Sequence, residues 1–173
     1  MEFLRKNNSK FRMISMYIGA GLLILAGLLF IVFVDLKVNK FDPIVYGDGK
    51  EYQLLLSFYL LMAAVFALGS GIFYMYGDSI KNKHVATLVF KGIGIALAVA
   101  FIIFLFVFKA RINWYRYPSQ YFEGVSATKT YMSEAMFKSA NGIITACLVI
   151  DIVGIVVYIL NYLLSILFIE EDY

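Results

Sequence analysis

One cysteine, two prolines and one histidine in 173 residues leave little material for several common kinds of protein chemistry. With Cys147 as the sole cysteine there is no internal disulfide and no cysteine-based metal motif. His84 has no Cys, His or carboxylate cluster beside it in sequence, and a zinc site would need three further ligands, so no metal site is expected. Pro43 and Pro118 both fall between long apolar runs, so no run carries a proline kink. Charge is scarce as well: Asp, Glu, Lys and Arg make up 16% of the chain, against about 25% in soluble domains. The net charge of +3 is small and the basic residues are scattered among connectors, which argues against nucleic-acid binding. Without a Gly-rich phosphate loop, an HExxH or a GxSxG, neither an enzyme nor a cofactor is expected.

What remains is apolar. Hydrophobic residues reach 62% and the mean hydropathy is +0.81. Four runs, 14–34, 54–76, 85–108 and 142–169, each clear the roughly 20 residues that cross about 30 Å of hydrocarbon. The fourth would extend about 42 Å at 1.5 Å per residue, so it must tilt or project beyond the bilayer. The expected fold is an all-α integral membrane protein, one membrane domain over 1–173. Its four-transmembrane-helix bundle has short connectors and one interfacial loop of about 30 residues, 109–138, between helices three and four. The charges before the first run, Arg5, Lys6, Lys10 and Arg12, have the look of a signal peptide. The run is too long and lacks a small-residue cleavage site, which makes it a retained helix.

Orientation is weakly encoded. With the N-terminus inside, Arg5, Lys6, Lys10, Arg12, Lys81 and Lys83 face Lys37, Lys40, Lys50, Lys109, Arg111, Arg116, Lys129 and Lys138 on the outer side. The undiluted basic cluster ahead of the first span favours a cytoplasmic or matrix N-terminus. An even number of spans then puts Glu170, Glu171 and Asp172 on the same side. A bacterial plasma membrane and an organellar inner membrane both fit.

Three features carry the functional expectations. The first is small residues at spacing four: Ala63, Ala67 and Gly71 on the second span, and Gly92, Ala96 and Ala100 on the third, with Gly94 and Ala98 as a neighbouring row. Small residues let backbones approach where lipid supplies no hydrophobic force between helices, so these rows either pack within the four-helix bundle or present a face that docks a partner subunit.

The second is a stripe on the fourth span. Cys147, Asp151, Gly154, Tyr158, Asn161 and Ser165 recur at steps of four and three, on one helical face opposite Ile152, Val156, Ile159 and Leu163. That face is expected to point into the bundle or towards another protein. An Asp at the centre of a membrane helix costs roughly 2.5 to 3.5 kcal/mol, so Asp151 needs a reason. A hydrogen-bonding role across the bundle, a proton or cation site, and a neutral Asp without special role are the readings. Lys91 either pairs with Asp151 or snorkels to the interface beside Lys81 and Lys83.

The third is the sequence after the third span, where Arg111, Trp114, Tyr115, Arg116 and Tyr117 form an interfacial lipid anchor of rings and guanidinium groups. Together these features suggest a non-catalytic membrane subunit or accessory protein that packs in and stabilises a larger complex. Its expected partners are the lipid bilayer and membrane proteins or copies of itself. The alternative is a small oligomeric channel or transporter in which Asp151, Asn161, Tyr158 and Lys91 line an ion or proton path.

Overall fold

A computed structural model describes residues 2–38, 42–80 and 84–167. Helix α1 (Glu2–Val38) is followed by a hairpin of β1 (Ile44–Tyr46) and β2 (Lys50–Tyr52). The second span is built from α2 (Leu56–Ala63), a π-helical turn (Ala64–Leu68) and α3 (Gly69–Ser79). Then come α4 (His84–Arg116), a 3-10 turn (Pro118–Gln120) and α5 (Glu134–Leu167). Four of these helical segments are long and apolar enough to cross a membrane: Lys10–Val34, Leu56–Gly77, Val85–Arg116 and Glu134–Leu167. The chain is thus read as a multi-pass helical membrane protein.

The helices outrun the expected apolar runs, α1 at both ends and α4 and α5 into the connector between them. Helix α4 continues through Lys109 to Arg116 and α5 starts at Glu134, so the connector between them is 117–133 rather than 109–138. Nothing in 109–116 breaks a helix, and the first proline after it, Pro118, opens the 3-10 turn. The connector 39–55 holds a short antiparallel hairpin with Val45 opposite Glu51. Its turn depends on Gly47 and Gly49 at φ of 53° and 84°, a region that side chains disfavour.

Close backbone approach organises the bundle. On α1 the face Met16, Ala20, Leu23, Ala26, Phe30 and Val34 is buried, at the three-and-four spacing of one helix side. A β-carbon on Gly19 would lie 2.6 Å from the Tyr158 ring, and one on Gly27 would lie 2.6 Å from the Ala67 β-carbon. Gly154 sits against Leu23, and Gly71 against Ile24, in the same manner. Between α3 and α4, a β-carbon on Gly94 would be 3.0 Å from the Ser70 carbonyl oxygen. The outward residues, Leu28, Leu61, Ile103 and Ile152 among them, are also large and apolar, as a helix facing lipid requires. Near the hairpin end the core is aromatic: Phe30 packs edge-on against Phe104 and Phe108 at centroid distances of 5.2 and 5.0 Å.

The expected packing rows divide. Ala63, Ala67 and Gly71 are buried on the inner face of the second span. On α4 the inward row is Gly94 and Ala98, continuing to Phe101 and Leu105. Ala96 of the expected row is exposed, Gly92 and Ala100 are half-buried, and a β-carbon at Gly92 would have no neighbour within 4 Å. The two rows differ by about half a turn, and the deeper burial goes to the one carrying Lys91, whose polar head needs the interior.

Candidate functional site

The α5 stripe points inward along its whole length. Ala140, Ile144, Cys147, Asp151, Gly154, Tyr158, Asn161 and Ser165 are the buried residues of this helix. Its polar members do two different things, separated by about 15 Å of helix between Asp151 and Asn161 at 1.5 Å per residue.

Asn161 is the hub of the first group. Its Oδ1 accepts from Lys91 Nζ at 3.1 Å and lies 2.9 Å from the Tyr74 hydroxyl. Its amide Nδ2 donates to the Ser15 hydroxyl at 2.8 Å and to the Arg12 carbonyl. One side chain on α5 therefore ties α1, α3 and α4 together: both amide protons are donated and Oδ1 accepts from Lys91, while the single Tyr74 hydroxyl proton has both Oδ1 and the Tyr158 main-chain oxygen within reach. Lys91 Nζ also donates to Ser165 Oγ at 2.9 Å and lies 5.4 Å from the Tyr74 ring centroid. The Tyr74 hydroxyl is 2.8 Å from the main-chain oxygen of Tyr158, and the two tyrosine rings stack at 3.6 Å and 5°. Ser70 donates to the Gly94 carbonyl at 2.7 Å, closing the α3–α4 side.

Neither expected arrangement of Lys91 is observed. It is fully buried, so it does not snorkel to an open interface, and it turns towards Asn161 and Ser165 rather than Asp151. Lysine stems on helices lean towards the helix start, which carries this ammonium away from the middle of the span. Lys81, Lys83 and the acidic tail from Glu170 lie outside the described residues.

Asp151 stands apart. It is fully buried at the midpoint of α5, and among the described residues neither carboxyl oxygen has a hydrogen-bond partner. The expected bonding role across the bundle is therefore not seen. One turn away, Cys147 Sγ donates to the Ala26 carbonyl of α1 at 3.4 Å. Cys147 is a free thiol, and the described residues contain no group of three His, Cys, Asp or Glu placed to hold a metal ion.

At the opposite end, the residues of the expected lipid anchor are part of a folded cap. Tyr115 is completely buried, not lipid-facing: its hydroxyl accepts from the Leu54 amide at 2.8 Å and lies 3.4 Å from the Tyr52 carbonyl oxygen. Trp114 packs on Tyr52 and Phe122, and Arg111 stacks over the Trp114 ring at 3.8 Å. Arg116 reaches Glu134 at 3.9 Å, and Tyr117 is the exposed member, with its ring edge-on to Phe137. The hairpin is held by the Gly47 amide donating to the Glu123 carbonyl and by Tyr131, whose hydroxyl lies 3.2 Å from both the amide and the carbonyl of Val45. Burial raises the Tyr52 phenol above its ordinary value, with Arg111 opposing.

Sequence reasoning missed Ser15, Tyr74 and the glycines of α1. A signal was present: Ser15, Gly19 and Ala26 share helical spacing, and Tyr74 is a polar-tipped ring inside the second apolar run. No family model matches this chain, and neither the curated proteins nor the solved structures contain a match to it.

Proposed function

We propose that this chain is a non-catalytic integral membrane subunit whose self-contained bundle docks a helix of a larger membrane complex on the outer face of α4. The observation that carries the reading is the Gly92, Ala96 and Ala100 row. Its inner counterpart, Gly94 and Ala98, serves the bundle, while the outer row lies half-buried to exposed, with open space at Gly92. Small residues at spacing four let a second helix approach closely in lipid, and their packing is not used internally. The Asn161 hub, which ties α5 to α1, α3 and α4, supports a rigid scaffold. A bacterial plasma membrane or organellar inner membrane, with both termini on the cytoplasmic or matrix side, is the setting this reading takes.

Isolation of the tagged protein from its native membrane in mild detergent tests it. Stoichiometric membrane partners are expected, and Ala96→Trp should reduce their recovery about tenfold, the factor corresponding to loss of roughly 1.4 kcal/mol of packing. Recovery of a lone homo-oligomer, unaffected by Ala96→Trp, overturns the proposal.

One observation favours a second reading. A buried carboxylate without a partner is a common element of proton and cation paths, and Asp151 is such a group. Under this reading the protein conducts or carries a cation or proton, with Tyr158, Asn161 and Lys91 along the same interior. Flux in liposomes that survives Asp151→Asn unchanged removes it.

A further inference from the structure

A groove of about 430 Å³ opens to the lipid side between the second span and α4. Met62, Phe66, Ala100, Ile103 and Phe104 line its apolar length, and Arg111 stands at one end. From Ala100 to Arg111 is about 16 Å along α4 at 1.5 Å per residue, roughly half of a 30 Å hydrocarbon core, so the groove has the depth of one leaflet. Arg111 marks the level at which the apolar helix gives way to the cap. Its guanidinium is stacked on Trp114, which fixes the plane of its five donors, and Tyr and Trp, here Tyr52 and Trp114, are the residue types enriched at headgroup level.

Two occupants are conceivable for an intramembrane groove, a partner helix or an acyl chain. A helix needs small residues beneath it to approach closely. Beyond Ala100 the floor is Ile103, Phe104 and Val107, bulky side chains that hold a second helix off but leave a channel between them. A flexible chain can follow such a channel. A cation at headgroup level above it complements a phosphate, and arginine presents paired donors suited to phosphate oxygens. We infer that this groove is a binding site for an anionic phospholipid, one acyl chain lying against Phe66, Ala100 and Phe104 and the phosphate held by Arg111. The site shares Ala100 with the outer row of α4 but does not depend on a protein partner there.

The test is native mass spectrometry of the full-length protein in detergent micelles supplied with dioleoyl phosphatidylglycerol or dioleoyl phosphatidylcholine. The wild type should retain one phosphatidylglycerol about fivefold more than phosphatidylcholine, the factor expected for one basic residue at an anionic surface. Arg111→Gln should abolish that preference and Arg111→Lys should restore much of it. Ala100→Phe, which fills the groove and leaves the cap intact, should lower retention of both lipids with the headgroup preference unaltered. Equal retention of the two lipids by the wild type, or retention untouched by Ala100→Phe, overturns the inference. If Arg111→Gln loses its helical circular dichroism, the Ala100→Phe comparison decides alone. Partner recovery in the co-isolation experiment reads the Ala96 face separately, so the two proposals fail independently.

Discussion

Two polar residues on one helical stripe, Asn161 and Asp151, should respond to substitution in opposite directions. Asn161 holds four groups from three other helices. An interhelical hydrogen bond in lipid contributes on average ~0.6 kcal/mol, and leaving a buried ammonium short of an acceptor costs more. Asn161→Leu should thus destabilise the protein by about 2 to 4 kcal/mol, read from unfolding in mixed micelles. Asp151 has no bond to lose. Asp151→Leu, similar in outline, should leave stability unchanged or raise it by about 1 to 3 kcal/mol, since an unpaired polar group is removed from the interior. A clear loss of stability in Asp151→Leu would mean that the carboxyl finds a partner in the membrane. Both residues were recognisable as inward-facing from the stripe, because a period of 3.6 encodes which residues share a face. That they have different roles was not, because bonding depends on Ser15, Tyr74 and Lys91, which lie 70 to 146 residues away in sequence.

Among the elements, glycines that look alike in sequence divide by what they touch. Gly27 meets the Ala67 β-carbon and Gly92 meets nothing. Gly27→Ala should cost about 1 to 3 kcal/mol as α1 is pushed from the second span, the usual cost of overpacking. Gly92→Ala should cost nothing in the isolated protein, and alanine's better helix propensity favours it. Equal effects of the two substitutions on thermal unfolding would contradict the assignment of inner and outer faces. Helix existence was legible for all four spans, since length and hydropathy alone decide it. The ends of α4 and α5 were not: Lys109, Arg111 and Arg116 look like loop charges, yet all three lie on α4, and Arg111 and Arg116 reach into the cap.

For the whole molecule, the cap joins the hairpin to both long helices, and Tyr115 is its pin. Tyr115→Phe leaves the Leu54 amide without its acceptor. It should cost about 1 to 2 kcal/mol and speed amide hydrogen exchange across residues 44–54 while the spans stay protected. The cap should also respond to alkali. The Tyr52 phenol is raised above its ordinary value of 10.0 by burial, so the folded form holds the proton more tightly than the unfolded one. The stability this contributes is fully present below pH 10 and is lost as pH rises through the folded-state value. The thermal unfolding midpoint should therefore fall as pH rises through that range, and Tyr52→Phe should lessen the fall.

The sequence by itself determined that the chain is helical and membrane-crossing, roughly where its four spans lie, and which residues of the fourth share the polar face. Hydropathy and periodicity are local properties of the chain, so they survive without knowledge of the fold. Only the tertiary structure decided that Lys91 serves Asn161 rather than Asp151, that Tyr115 is a buried pin rather than a lipid anchor, and that Gly94 rather than Gly92 lies inside. Each of those outcomes depends on which residue of another helix arrives at the same depth. In a bundle of helices that are apolar all round, that pairing is settled by close packing and hydrogen bonding between helices, and neither is written in any single span.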